Sequence, residues 1–179
     1  MEFQELILKR QSDRKYLPKP VEEEKLLQCC EAARLAPSAC NGQPWSMVLI
    51  TDPAMVKTTA DCVATTGMNK FTHKAPAFVA IVLEKTNISS RLGSVIKDKE
   101  FPLLDIGIMA SHFCLQAAAL GLGSCMLGWF NEKKLKKELN IPKHKRIPMV
   151  ISIGYSNSLQ RKKIRKPLDK ILHRNTYKQ

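Results

Sequence analysis

The sequence predicts a single domain of mixed α and β structure. Segments with apolar residues at spacings of three and four occur between short, nearly continuous apolar runs, and no strand-helix-strand repeat carries a glycine fingerprint. The chain has 179 residues and a mass of 20.2 kDa, which is the size of one ordinary domain. We therefore expect one domain over residues 1–179, in which residues 156–179 form a terminal arm.

The predicted elements follow from periodicity and from the residues that start and stop helices. Pro20 and a glutamate-rich first turn start one helix, Asp52 with Pro53 starts another, and Asn131 can cap a third. The apolar residues of 103–120 recur on a helical period, so this helix must be covered by the sheet or by a second subunit. Helices are predicted at 3–9, 21–35, 53–63, 103–120 and 131–139, and strands at 47–51, 77–84 and 148–155.

Composition argues against a metal site and a membrane span. The six cysteines contain no Cys-x-x-Cys, and the four histidines lack metal-ligand spacing, so we expect reduced cysteines that pack in the core. Apolar stretches such as 78–83 are too short to cross a bilayer, and residues 1–10 lack the features of a secretory signal. The expected location is cytoplasmic.

The net charge of +13 is concentrated at the carboxyl end. Residues 1–131 hold 14 basic and 13 acidic side chains, whereas residues 132–179 hold 15 basic and 3 acidic ones. Such an end could bind nucleic acid or an acidic partner, or it could be a solvated helix face followed by a tail that neutralises cofactor phosphates. Beyond Asn131 the aromatic rings are only Tyr155 and Tyr177, too few for base stacking, which favours the second interpretation and no nucleic acid.

Two short clusters could form an anion site. In extended backbone, Arg10, Ser12 and Arg14 would point to one face, and guanidinium groups bind phosphate through paired hydrogen bonds. Lys163 and Arg165 would share a face in the same way within the basic run 161–168. Each cluster alone is also compatible with a solvated turn.

Two further segments combine small residues with amide side chains. The loop 37–45 would let backbone approach a flat ligand, with Asn41 and Gln43 offering donors and acceptors to a ring edge, although a plain helix-to-strand connector fits as well. The segment 121–129 holds three glycines but neither a dinucleotide fingerprint nor a phosphate loop. Gly121 can end a helix, whereas Gly128 is less easily explained.

Taken together and in this order, the four segments resemble the FMN-dependent nitroreductase family over essentially the whole chain. The resemblance implies an α+β fold, nitroreductase-like, with a central, mainly antiparallel sheet surrounded by helices. It also implies an intertwined homodimer, in which the arm 156–179 reaches the partner subunit. The motifs that carry it are Arg10-x-Ser12-x-Arg14, Ala36-Pro37-Ser38-x-x-Asn41-x-Gln43-Pro44-Trp45, Gly121-Leu122-Gly123-Ser124 with Gly128, and Lys163-x-Arg165-Lys166-Pro167.

The resemblance also implies a set of residues that bind FMN at the dimer interface. Arg14 would lie near the N1 and C2 carbonyl edge of the flavin, Asn69 near the pyrimidine edge, and the Gly128 backbone near N5. The full set is Arg10, Ser12, Lys163 and Arg165 around the phosphate and ribityl chain, Pro37, Ser38, Ala39 and Asn41 from the other subunit, and Arg14, Asn69, Leu127 and Gly128 around the ring.

The activity implied is ping-pong transfer of a hydride from NADH or NADPH, through flavin N5, to small oxidised molecules such as nitroaromatics or quinones. Because the flavin performs this chemistry, no catalytic side chain is assigned. Phe71, Phe101 and His112 are candidates for lining the open flavin face, since the stretch between Glu84 and Phe101 is too short for a covering pair of helices. The alternatives are dehalogenation or ene reduction on the same fold, or a basic binding protein without turnover.

Overall fold

A computed structural model of the chain, which describes residues 1–65, 67–85 and 100–177, has a four-stranded antiparallel sheet at its centre. The strands are β1 (Trp45–Ile50), β2 (Ala77–Leu83), β3 (Gly123–Leu127) and β4 (Arg146–Gly154). Their order across the sheet is β1-β2-β4-β3. In the register, Val79 of β2 lies opposite Ile151 of β4. The short stretch 86–99, on which the expected absence of a covering helix pair depends, lies outside the described residues.

Strand β2 is buried on both faces, which is why its sequence is a continuous apolar run. Because side chains alternate along a strand, Val79 and Ile81 pack into one core, and Phe78 and Ala80 pack into the other. The sheet therefore separates two hydrophobic layers. Helices must cover both of its faces.

The described residues form five α-helices around the sheet. They are α1 (Phe3–Lys9), α2 (Glu23–Arg34), α3 (Pro53–Val63), α4 (Phe101–Ala119) and α5 (Glu132–Glu138). Helices α2 and α4 cover the face that carries Val79, while α3 and α5 cover the opposite face. The predicted caps are confirmed, because Asp52 Oδ1 accepts from the Met55 N–H at 2.9 Å and Asn131 Oδ1 accepts from the Lys134 N–H at 3.0 Å.

Helix α4 is apolar on two sides with different surroundings. Met109 and Phe113 are fully buried against the sheet and α2, whereas Leu103, Leu104 and Ile108 are exposed in the single chain. By length and composition alone this helix could span a membrane, which the short continuous apolar runs of the sequence did not indicate. Its buried side chains, however, belong to the core. An open apolar face of this kind agrees with the predicted second subunit.

The predicted fold class is confirmed, and the helix and strand boundaries agree with the sequence within two residues. One strand was missed. The glycine-rich segment 121–129 contains β3, which pairs with β4 from Gly123 opposite Gly154 to Leu127 opposite Val150. A five-residue strand that begins with glycine and serine carries too little β propensity to be predicted, and it is neighbouring β4 that fixes it.

Candidate functional site

Cationic side chains from both ends of the chain line one open cavity of about 630 Å³. Arg10, Ser12 and Arg14 come from the segment after α1, which runs along the start of β3 through a parallel bridge between Ser12 and Ser124. The alternation predicted for this segment is observed, since Gln11 and Asp13 are buried between these three residues. Gln11 also contributes to the lining, and the remaining residues come from the arm: Arg161, Lys162, Lys163, Ile164 and Arg165.

Close approach of the segment to β3 depends on Gly123. A Cβ at this position would lie 2.8 Å from the Cβ of Asp13 and 2.8 Å from the Cβ of Ser156. Since non-bonded carbon atoms pack at ~3.5–4.0 Å, no larger residue fits without moving one of these two segments. Gly123 therefore lets the amino-terminal segment and the start of the arm meet beside β3.

The arm lies along its own protomer as far as the cavity. Arg161 Nη2 donates to the Ser12 carbonyl at 2.6 Å, and Lys163 Nζ donates to the Arg10 carbonyl. Ser156 Oγ donates to the Lys15 carbonyl at 3.1 Å. Residues 156–163 are thus attached to their own subunit. That the arm 156–179 reaches the partner subunit remains a prediction.

The cavity places positive charges together without a lining carboxylate among the described residues. The pKa of Lys163 is lowered below its usual value, first by burial and then by the positive charges of its arginine neighbours Arg10, Arg165 and Arg161. The negative charge that acts on Lys163 is that of Asp13, which is buried and accepts from Gln11 Nε2 at 3.1 Å. A dianion in the cavity would offset the repulsion, so the residues fit the phosphate of a ligand such as FMN.

Arg14 stands at the edge of the cavity, where it is exposed. Its guanidinium carbon lies 5.8 Å from the centroid of the Phe71 ring, within the range of a cation–π contact. Phe71 itself is partly buried and packs 6.4 Å from Tyr16, centroid to centroid. This contact holds the guanidinium beside an aromatic ring instead of leaving it free in solvent.

The loop 37–43 is held in an unusual backbone conformation away from this cavity. Cys40, Asn41 and Gln43 have φ values of 51°, 50° and 43°, in the left-handed region. The buried Asp105 of α4 accepts from the Ala39 N–H at 3.1 Å. Pro37, Ser38, Ala39 and Asn41 do not line the cationic cavity of their own chain, and an expected role in the partner's site stays a prediction.

Asn69 contacts the segment that contains Leu127 and Gly128, the third part of the predicted site. This residue has a left-handed φ of 57°, and its Nδ2 donates to the Trp129 carbonyl at 3.0 Å. The hydrogen bond fixes the backbone next to Gly128, and a Cβ at position 128 would meet nothing within 4 Å. The Leu127 side chain is 5% exposed and packs in the core, so only its backbone could face a ligand.

The structure adds residues that the sequence motifs did not identify. Gln11, Arg161 and Lys162 line the cavity, and Asp105 holds the loop 37–43 through its hydrogen bond from the Ala39 N–H. A carboxylate inside the mostly apolar helix 103–120 was a detectable signal for Asp105. Gln11 gave none, since nothing in its neighbours shows that the arm would return to it.

The cysteine predictions can be compared with burial. Cys29, Cys62, Cys114 and Cys125 are buried and unbridged, whereas Cys30 is half-buried and Cys40 is exposed, so the packing prediction is wrong for Cys40. Burial raises the pKa of the Cys29 thiol to about 12 and that of Cys114 to about 11. These thiols stay protonated near neutral pH, as expected of packing residues.

Comparisons with known proteins agree with this architecture. The model of the Nitroreductase family matches residues 7–67 and 59–155. An FMN-dependent nitroreductase from Clostridium difficile has a similar structure, with a TM-score of 0.77 and 30% sequence identity over 96% of this chain and 98% of that chain.

Two curated relatives align with most of this chain. An NADH dehydrogenase from Thermus thermophilus is 27% identical over 92% of both chains. An FMN reductase [NAD(P)H] from Bacillus subtilis is 29% identical over 93% of this chain and 70% of the relative. Because the family model spans most of the sequence and a solved structure superposes along nearly all of it, this chain belongs to the nitroreductase family.

Proposed function

We propose that this protein is an FMN-dependent oxidoreductase that takes electrons from NADH or NADPH and passes them to small oxidised organic molecules such as nitroaromatics or quinones. The observation that carries the proposal is the cavity in which Arg10, Lys163 and Arg165 meet with no carboxylate from the described residues in its lining. The names of the relatives, which include an FMN reductase and NAD(P)H nitroreductases, support the predicted enzyme class and cofactors.

The cationic cavity would hold the phosphate and the ribityl chain. Arg10 and Arg165 can each give two parallel hydrogen bonds to phosphate oxygens, and Lys163 supplies a point charge next to them. Ser12 offers a hydroxyl on the same face. Binding of a dianion raises the lowered pKa of Lys163 by stabilising its charged form, so phosphate binding and protonation of this lysine favour each other.

Bound FMN supplies the reversible acceptance and donation of a hydride, and the protein's part is to bind and polarise the ring. Arg14, held beside Phe71, places a positive charge at the cavity edge, where it would favour the anionic reduced ring. Asn69 fixes the backbone around Gly128, and the open space beside this glycine lets the chain approach a flat ligand. Asp105 fixes the loop 37–43, which we expect to complete the partner's site.

The basic carboxyl-terminal region is partly accounted for by contacts inside the protein. Lys145 Nζ lies 2.7 Å from Glu84, and Arg146 Nε lies 2.9 Å from Glu132. Lys136 donates to two backbone carbonyls near the end of α5. These cations stabilise the fold, which weakens the alternative of a binding protein that uses the region as a nucleic-acid surface.

The proposal is tested by the spectrum and the redox cycle of the purified protein. Reconstituted with FMN and freed of excess ligand, it should retain the flavin absorption bands. Anaerobic NADH or NADPH should bleach them, and a quinone or a nitroaromatic should restore them, with the parallel initial-rate patterns of a ping-pong reaction. Retention of no flavin, or bound FMN that neither NADH nor NADPH reduces, would contradict the proposal.

A further inference from the structure

Gln11 lies where the amino-terminal segment meets the arm, and its side-chain amide is used completely by protein groups. Its Nε2 donates to the Leu159 carbonyl at 3.1 Å and to Asp13 Oδ1 at 3.1 Å. Its Oε1 accepts from the Arg161 N–H at 3.1 Å and from Arg161 Nε at 3.4 Å. The side chain, only 9% exposed, therefore holds both a carbonyl and an N–H of the arm, as a neighbouring strand would.

Apolar packing does little to keep the arm in place near the cavity. Leu159 and Ile164 are 85% and 88% exposed, so apolar packing on their own protomer contributes little there. The arm also brings Arg161, Lys163 and Arg165 towards Arg10, which is electrostatically unfavourable. Directional hydrogen bonds must therefore hold the arm in register against this repulsion.

Asp13 fixes which way the amide of Gln11 faces. Ser156 Oγ lies 3.3 Å from the buried carboxylate Oδ1 of Asp13 and can give its single proton either to this oxygen or to the Lys15 carbonyl. Because a carboxylate accepts and cannot donate when ionised, the Nε2 of Gln11 must turn towards it, which leaves Oε1 for the Arg161 N–H. Gln11, Asp13 and Ser156 form one hydrogen-bonded unit at the base of the arm.

We propose that Gln11 is a positioning residue of the phosphate site, which sets the register of the arm and thereby places Lys163 and Arg165 opposite Arg10. It acts through the arm, since its own polar atoms are already engaged by protein. The inference rests on the proposed function, because it concerns the affinity for the FMN phosphate.

The test compares FMN with riboflavin, which lacks the phosphate. Gln11→Met keeps the length of the side chain and removes its hydrogen bonds to the arm. We expect its affinity for FMN to fall by roughly tenfold or more, since the Leu159 carbonyl and the Arg161 N–H lose the partner that holds the arm in register, while its affinity for riboflavin stays at the wild-type value. Gln160→Ala is the matched control, because Gln160 also ties the arm to α1, through a 2.9 Å bond to the Leu8 carbonyl, but is exposed. This control should bind FMN as the wild type does.

A double-mutant cycle sharpens the test. If Gln11 acts through the arm cations, Gln11→Met should cost less FMN affinity in an Arg165→Ala background than in the wild type. Equal losses for FMN and riboflavin, an unchanged FMN affinity, or additive effects in the cycle would overturn the inference. Gln11→Ala serves as the second variant if the methionine protein does not fold.

The inference can fail separately from the proposed function. If the wild type binds no flavin, the proposed function fails. The attachment of the arm is then measured by the rate of tryptic cleavage after Arg161 and Lys162. Faster cleavage in Gln11→Met than in both the wild type and Gln160→Ala would support the positioning role. Equal cleavage rates would overturn it.

Discussion

Replacing Gly123 by alanine should destabilise the protein because two segments pack directly against this glycine. The new methyl carbon would lie 2.8 Å from the Cβ atoms of Asp13 and Ser156, which is ~0.7 Å closer than the ~3.5 Å at which carbon atoms pack. Both neighbours are atoms attached to backbone, so they cannot move away by a simple rotation. Overpacking of this kind costs about 2–3 kcal/mol, and the lower entropy of the unfolded alanine chain offsets about 0.5–1 kcal/mol.

The net loss of about 1–2.5 kcal/mol corresponds to a decrease in Tm of roughly 2–10 °C for a chain of this length. Thermal and urea unfolding would measure it. Gly128→Ala is the matched control, since its methyl group would meet nothing within 4 Å, and its unfolding free energy should stay within about 0.5 kcal/mol of the wild type. Its FMN affinity should nevertheless fall, because position 128 is where we expect backbone to approach the ring. Wild-type stability of Gly123→Ala, or equal destabilisation of both variants, would refute the packing argument.

Three further predictions concern the loop, the open helix face and an ion pair. Asp105→Leu removes the acceptor of the Ala39 N–H and should weaken FMN binding by roughly tenfold, whereas Asp105→Asn, which keeps an oxygen there, should retain most of it in a fluorescence titration. Leu104→Glu places a charge on the exposed face of α4, so light scattering should give the mass of the 20.2 kDa monomer instead of the mass of a dimer. A lysine-to-glutamate change on α5 should leave the dimer mass unchanged. Hydrogen bonds from Lys145 and Ser46 lower the pKa of Glu84, so the stability gained from the ion pair is present above the ordinary value of 4.5 and is lost as the pH falls through the lowered pKa. Lys145→Ala should therefore be at most about 1 kcal/mol less stable near neutral pH and equal to the wild type in acid, and a pH-independent difference measured by urea unfolding would contradict this.

Much of the fold could be predicted because local signals agree with the tertiary environment. The run 77–83 is apolar at every position, and it forms a strand that is buried on both faces. Asp52 and Asn131 are predicted caps that make the expected hydrogen bonds. Strand β3 could not be predicted, because its residues form a strand only through their pairing with β4.

The candidate site was predictable in its parts but not in its geometry. The alternation of Arg10, Ser12 and Arg14 predicted a shared face, and these side chains do line one cavity. These three residues meet Lys163, which lies at the other end of the sequence, and this meeting depends on Gly123 and on the buried amide of Gln11. Neither role is visible in a local pattern. The expected crossing of the arm concerns a second subunit, which a single chain cannot specify.

A crystal structure of the protein with FMN would test the central claim most directly. We predict that the phosphate lies within hydrogen-bonding distance of Arg10 and Arg165, with Lys163 next to it, in the cavity between the amino-terminal segment and the arm. A flavin whose phosphate is held elsewhere, with these three side chains directed to solvent, would contradict the account.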